Sequence, residues 1–191
     1  MKQKATWFIF IVSLLTIPIF FLLASNKRPQ LPVYGAIAHF SLTERSGKTV
    51  SLDDLKGKTW IADFIFTRCG GQCPMMSRQM SELQKKLPSS ILFVSFTVDP
   101  EWDTPQVLLE YAKNYSAEEG KWLFLTGPKE ILTQITQSCY MHDLEDPNMH
   151  SLRFVLVDPQ AQIRGYYDGT DGQAMQKLEK DSRILTITNV F

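Results

Sequence analysis

Residues 60–74 read Trp-Ile-Ala-Asp-Phe-Ile-Phe-Thr-Arg-Cys-Gly-Gly-Gln-Cys-Pro, and this stretch decides the fold. Trp60–Phe66 is an apolar run of strand length, of the kind buried on both faces of a parallel sheet. Pro74 opens a helix, because proline is tolerated in a first turn. Met76, Met80, Leu83 and Leu87 recur at i, i+4, i+7 and i+11, one face of a helix that stops at Pro88. Cys69 and Cys73 therefore lie where a strand meets a helix. The N–H groups of a first helical turn lack intrahelical partners and, with the helix dipole, favour an anion. They stabilise a thiolate there. Gly70 and Gly71 are expected to give the loop tight backbone angles, so that both sulfurs face one point. A disulfide closing so short a loop removes little unfolded-state entropy, so reinforcement is a weak reason for the pair. A redox or metal role is the better reading.

Outward from this stretch the pattern alternates. Before it, His39–Leu52 holds two short strand-like stretches around Arg45-Ser46-Gly47-Lys48, a hairpin signal. After it, Ile91–Val98 is a second buried strand. Asp103-Thr104-Pro105 starts a helix with a capping side chain and a first-turn proline. Val107, Leu108, Tyr111 and Tyr115 form that helix's apolar face. Trp122–Leu125 is a short strand. Pro128 starts a further helix with Ile131, Leu132, Ile135 and Cys139 on its inner face. Leu152–Val157 and Ile163–Tyr167 make a hairpin across Asp158-Pro159, and Asp171–Lys180 is a last helix. The apolar tail from Ile184 has no assigned form. The layout is α/β with a central mixed sheet.

The chain has 191 residues and a formal net charge of zero, but the charge is unevenly spread. Lys2, Lys4, Lys27 and Arg28 face no acid within residues 1–28, so the remainder is mildly acidic. That argues against nucleic-acid binding, which normally uses a basic face. Hydrophobic content of 44% with 21% charged residues is ordinary for a globular protein and argues against disorder. Ala5–Ala24 is a run of 20 residues without a charge, long enough to cross a hydrocarbon core of about 30 Å as a helix. It reads as an uncleaved membrane anchor, the alternative being a cleaved signal peptide, whose apolar region is usually shorter. Residues 1–28 are thus an anchor or signal segment and residues 29–191 one domain. The slight positive excess at Lys2, Lys4 and the amino terminus puts the N-terminus inside and the domain on the extracytoplasmic face.

Strand, cysteine pair and helix resemble the thioredoxin superfamily. Asp63, six residues before Cys69, matches the buried acid of thioredoxins, but the spacing is C-x-x-x-C rather than C-x-x-C. Peroxiredoxin-type chemistry is disfavoured, since Ala62 and Phe66 stand where its Pro and Thr/Ser would precede Cys69. Three further motifs are more specific: Phe66-Thr67-Arg68-Cys69-x-x-x-Cys73-Pro74, Val98-Asp99-Pro100-Glu101-Trp102-Asp103-Thr104-Pro105, and His150-Ser151 ahead of Phe154-Val155-Leu156-Val157-Asp158-Pro159. In this order they resemble the Sco/SenC family over roughly Pro32 to Lys180.

That resemblance implies a thioredoxin-like fold with an N-terminal hairpin and an added hairpin, preceded by one transmembrane helix. It implies one copper ion, held by Cys69, Cys73 and His150. It also implies a membrane-tethered chaperone that serves the dinuclear copper centre of cytochrome c oxidase subunit II, with a copper donor protein or thiol reductant as further partner. The alternative is an extracytoplasmic thiol–disulfide reductase using Cys69 and Cys73 as a redox pair, so enzyme status stays open. Gly-Gly-Gln between the cysteines and Met149 before the histidine depart from the common Pro-Asp-Val and Asp. Two thiolates and an imidazole suit Cu(I) and also hold Cu(II). Zinc takes the same ligands plus water.

Other residues have simpler readings. His142 and Met141 belong to a polar loop; Met76 and Met80 are core, and Met75 is a further thioether beside them. Cys139 is a buried small hydrophobe. Asp63 is an edge or capping carboxylate or a proton relay, Asp99 either lies near the site or forms a turn, and Asp103 is a helix cap.

Overall fold

The computed structural model describes residues 30–140 and 152–188. Residues 5–24, Met141, His142, Met149 and His150 lie outside the described residues. Among those described, no helix is long and apolar enough to cross a membrane.

The elements run β1 (Gly35–Ala36), β2 (Ser41–Glu44), β3 (Thr49–Ser51), α1 (Leu52–Leu55), β4 (Thr59–Ile65), α2 (Gln72–Lys86), β5 (Ile91–Thr97), α3 (Pro105–Asn114), β6 (Trp122–Thr126), α4 (Lys129–Tyr140), β7 (Arg153–Val157), β8 (Gln162–Asp168) and α5 (Gly172–Thr188). One eight-stranded mixed sheet has the order β1-β8-β7-β4-β5-β6-β2-β3. Strands β4, β5 and β6 are parallel, as helical crossovers require. The expected hairpins β2–β3 and β7–β8 form, and β1 adds an edge strand beside β8.

All seven residues of β4 and of β5 are buried, which explains their unbroken apolar character. Alternation along β4 divides the core. Trp60, Ala62 and Phe64 face α1 and α4, packing with Leu52, Leu55, Leu132, Ile135 and Cys139. Ile61 and Ile65 face α2, α3 and α5, packing with Met76, Met80, Leu108, Tyr111, Met175 and Leu178. Met76 and Met80 are fully buried, as their helical spacing predicts.

Some boundaries differ from expectation. Helix α2 begins at Gln72, so Cys73 and Pro74 both lie within its first turn and Gly71 is the N-cap. Helix α5 runs on through Ile184 to Thr188, where the sequence suggested a stop at Lys180. Leu185 is buried in the core, so tertiary packing extends the helix into the apolar tail. Asp103 is not the cap of α3: Thr104 is, its hydroxyl accepting the Val107 N–H.

Candidate metal centre

The β4–β5 register pairs Ile65 with Thr97, and Val98 N–H donates to the Ile65 carbonyl at 2.8 Å. The loops that follow these two strands therefore leave the same end of the sheet side by side. In open α/β sheets this carboxyl edge is where sites form. The loop after β4 carries Cys69 and leads into α2; the loop after β5 carries Asp99, Trp102 and Asp103.

The structure brings Cys69 and Cys73 together. Both are free thiols, and they lie close enough that each shifts the other's titration. Their environments differ. Cys73 is buried, at 2% exposure, and burial is the main cause that pushes its thiol up to about 12. A backbone hydrogen bond from Phe66 opposes that, while Cys69 and Asp63 add to it. Cys69 is partly exposed and goes the other way. Its partial burial raises the thiol, but the backbone N–H groups of Cys73 and Gly71, the Cys73 thiol and the Gln72 N–H together outweigh it, so the net shift is downward. No side chain caps α2, and its first turn has no acid. The N–H groups that open α2 are instead beside the Cys69 sulfur, where they favour an anion.

Neither Gly70 nor Gly71 has a positive φ, and a Cβ at either would meet nothing within 4 Å. Gly71, the N-cap of α2, has φ −127° and ψ −91°, and the absence of side chains at both positions leaves the rim of the loop open.

Asp63 is neither an edge nor a capping carboxylate. It sits in the middle of β4 between β5 and β7, at 0% exposure. Ser95 donates its hydroxyl to Oδ1 at 2.6 Å, and Trp122 Nε1 donates to that serine at 2.9 Å. Oδ2 meets no hydrogen-bond donor among the described residues. Burial outweighs the serine and raises the carboxyl to about 7.

Asp99 reaches the cysteine loop through Arg68, whose Nη2 donates to its carboxylate at 2.6 Å. The Arg68 guanidinium also lies over the Trp102 ring, 4.5 Å from the centroid. Asp103 accepts from Thr67 and Thr97 and is completely buried. Thr67 and Arg68 were given no role of their own in the sequence reading. Their signal was two polar residues at the end of a buried strand, facing an Asp-Pro loop after the next parallel strand. Cys139 lies apart, fully buried on α4 on the other face of the sheet. Among the described residues no group of three or more His, Cys, Asp or Glu comes together at one point.

Comparison with known proteins agrees with this geometry. The family model described as SCO1/SenC matches residues 30–185. A SCO1 protein homolog from Bacillus subtilis is 35% identical over 159 residues, covering 78% of this chain and 82% of that protein. The structure of BsSco, described as a member of the Sco family of cytochrome c oxidase assembly proteins with a disulfide switch, superposes with a TM-score of 0.70 at 30% identity. That match covers 83% of this chain and 98% of BsSco. Arabidopsis thaliana ScoI with copper bound gives a TM-score of 0.63 at 26% identity, over 78% and 98% of the two chains. The mixed sheet flanked by helices is the thioredoxin-like fold of those structures. The chain therefore belongs to the SCO1/SenC family.

Proposed function

We propose that this protein is a membrane-tethered copper chaperone for the dinuclear copper centre of cytochrome c oxidase subunit II. Copper is its cargo, held by Cys69, Cys73 and His150. The observation that carries the reading is the pair of neighbouring free thiols at the start of α2, one buried and one partly exposed at the rim, in a SCO1/SenC chain. Two thiolates suit soft Cu(I). The third ligand is consistent with the topology. Ala62 pairs with Val155 in the antiparallel β4–β7 ladder, so β7 starts at the end of β4 that the cysteine loop leaves. Leu152 C=O accepts from Gly169 N–H at 2.7 Å, and Gly169 packs on Met76, three residues after Cys73. His150 precedes Arg153 by three residues, a reach of about 10 Å at most.

In this mechanism Cys69, at the open rim, exchanges first with the partner's ligands, while buried Cys73 keeps the ion until transfer is complete. Residues 5–24 hold the domain at the extracytoplasmic face of the membrane, where the recipient centre lies.

The asymmetry of the pair also supports a second reading, reduction of a partner disulfide. The Cys69 thiolate attacks one partner sulfur, forming a mixed disulfide and expelling the other sulfur as thiolate. Cys73 then loses its proton, attacks Cys69 and releases the second partner thiol. The partner gains two electrons, this chain is left as the Cys69–Cys73 disulfide, and a dithiol reductant resets it.

Copper titration of the full-length chain tests the first reading. The reduced protein is expected to retain one copper against a moderate chelator, and the Cys69–Cys73 disulfide form essentially none. Retention by neither form overturns the chaperone reading. His150→Ala separates the two functions: copper retention should fall about 10–100-fold or more, judging from smaller changes around metal sites. The thiol pair should still cycle. Normal oxidase copper content in cells carrying His150→Ala would make thiol exchange the function.

A further inference from the structure

Cys69 is presented by a turn, Phe66–Cys69, closed by the Cys69 N–H donating to the Phe66 carbonyl at 3.1 Å. The two central residues of that turn are Thr67 and Arg68, and both are held by the loop after β5. Thr67 donates its hydroxyl to Asp103 at 2.5 Å and its backbone N–H to the same carboxylate at 3.2 Å. Asp103 is at 0% exposure and also accepts the Thr97 hydroxyl at 2.5 Å. Arg68 meets Asp99 and Trp102 on the outside of the loop. The inner and outer holds differ in weight. The Arg68–Asp99 pair is exposed to water and contributes little. The inner carboxylate is buried with charge-assisted hydrogen bonds on both oxygens, and each lost donor leaves buried charge less satisfied. Asp103 is itself fixed by its own N–H donating to the Asp99 carbonyl at 2.9 Å and by the start of α3.

We propose that Asp103 is a positioning residue: through Thr67 it fixes the turn that keeps the Cys69 sulfur on the N–H groups opening α2. The part of this inference that concerns copper rests on the chaperone reading; the part that concerns the thiol pair does not. The test uses the full-length chain as Thr67→Val, Thr67→Ser and Asp103→Asn. Valine keeps the shape of threonine and removes the hydroxyl; serine keeps the hydroxyl. Three site properties are read: copper affinity by chelator competition, the thiolate-to-Cu(II) absorption band, and the Cys69–Cys73 disulfide equilibrium against glutathione. Thermal midpoints report stability separately.

Thr67→Val and Asp103→Asn should weaken copper retention about tenfold or more and shift both the absorption band and the glutathione equilibrium. Thr67→Ser should restore all three. Should Asp103→Asn fail to fold, Thr67→Val against Thr67→Ser decides alone. A Thr67→Val protein with a lower thermal midpoint but unchanged affinity, band and equilibrium overturns the proposal, because the network is then only structural. If the unmodified chain retains no copper, the chaperone reading fails and the glutathione equilibrium alone judges the positioning. A shift in Thr67→Val reversed in Thr67→Ser supports it, and no shift overturns it.

Discussion

Cys73 and Cys139 occupy opposite faces of the same sheet, and burial treats them alike. Both thiols are inaccessible, at 2% and 0% exposure, and burial is the main cause that pushes each up to about 12. Cys73 lies in the first turn of α2, against Ile61 and Ile65; Cys139 lies near the end of α4, in the layer formed with Trp60, Ala62 and Phe64. Their difference comes from what the chain places beside them. A partner thiol on a rim-exposed turn stands next to Cys73, with helix-end N–H groups drawing that partner toward the thiolate. Among the described residues Cys139 has beside it apolar core, the Tyr166 phenol and the hydroxyl of Ser138, which also accepts the Ala38 N–H at 3.0 Å. A buried thiol becomes chemistry when a loop brings it a second thiol and an anion-stabilising end; burial alone makes it packing.

Loss of either loop cysteine should separate the two regions most sharply. Cys69→Ser and Cys73→Ser are each expected to lower copper retention more than about 100-fold, beyond the range for changes around a metal site. Cys139→Ser should leave retention unchanged. Chelator competition on the three variants measures this, and weakened retention in Cys139→Ser would break the comparison.

The carboxyl beneath Cys73 gives the next effect. Asp63 titrates at about 7 in the folded chain against an ordinary value of 3.8. Below about pH 4 it is protonated in both states and costs nothing. Between about pH 4 and 7 the unfolded chain ionises while the folded one stays neutral, so stability falls as pH rises and levels off above about pH 7. At about 1.36 kcal/mol per pH unit the loss amounts to about 4 kcal/mol at most. Asp63→Asn should flatten that slope. Denaturant unfolding at pH 4.5 and 7.5 compares the two proteins; an equal slope in both would assign the pH dependence elsewhere.

The smallest effect belongs to Cys139→Ala. Removing a buried sulfur should cost about 1–2 kcal/mol through lost packing and a small cavity, with copper retention intact. A stability loss accompanied by loss of copper would show that the far face of the sheet supports the site after all.

Much of this was legible beforehand because it depends on local chemistry. The buried strands, the Met76 and Met80 face, the hairpins and the burial of Cys139 follow from periodicity, and periodicity reports which side of an element meets the core. The misreadings were of residues whose surroundings come from distant segments. Asp63 matched the buried acid of thioredoxins but was also open to an edge or capping reading; β7, contributed from about 90 residues further on, encloses it and removes that second reading. Asp103 read as a cap because Asp before Thr-Pro usually is one, whereas Thr104 caps and Asp103 turns inward to Thr67 and Thr97.

The sequence by itself determined the α/β order, the cysteine pair at a strand–helix junction and the family, since each rests on residue type and spacing along one stretch. Tertiary structure alone decided which cysteine is the acidic one. Cys69 and Cys73 are both within reach of a helix start in sequence, but only the folded turn shows that α2 begins at Gln72. The helix-end N–H groups then point at Cys69, while Cys73 is drawn into the core. A thiol's acidity depends on the direction of nearby dipoles and on exclusion of water, and neither is set until distant strands have closed over the loop.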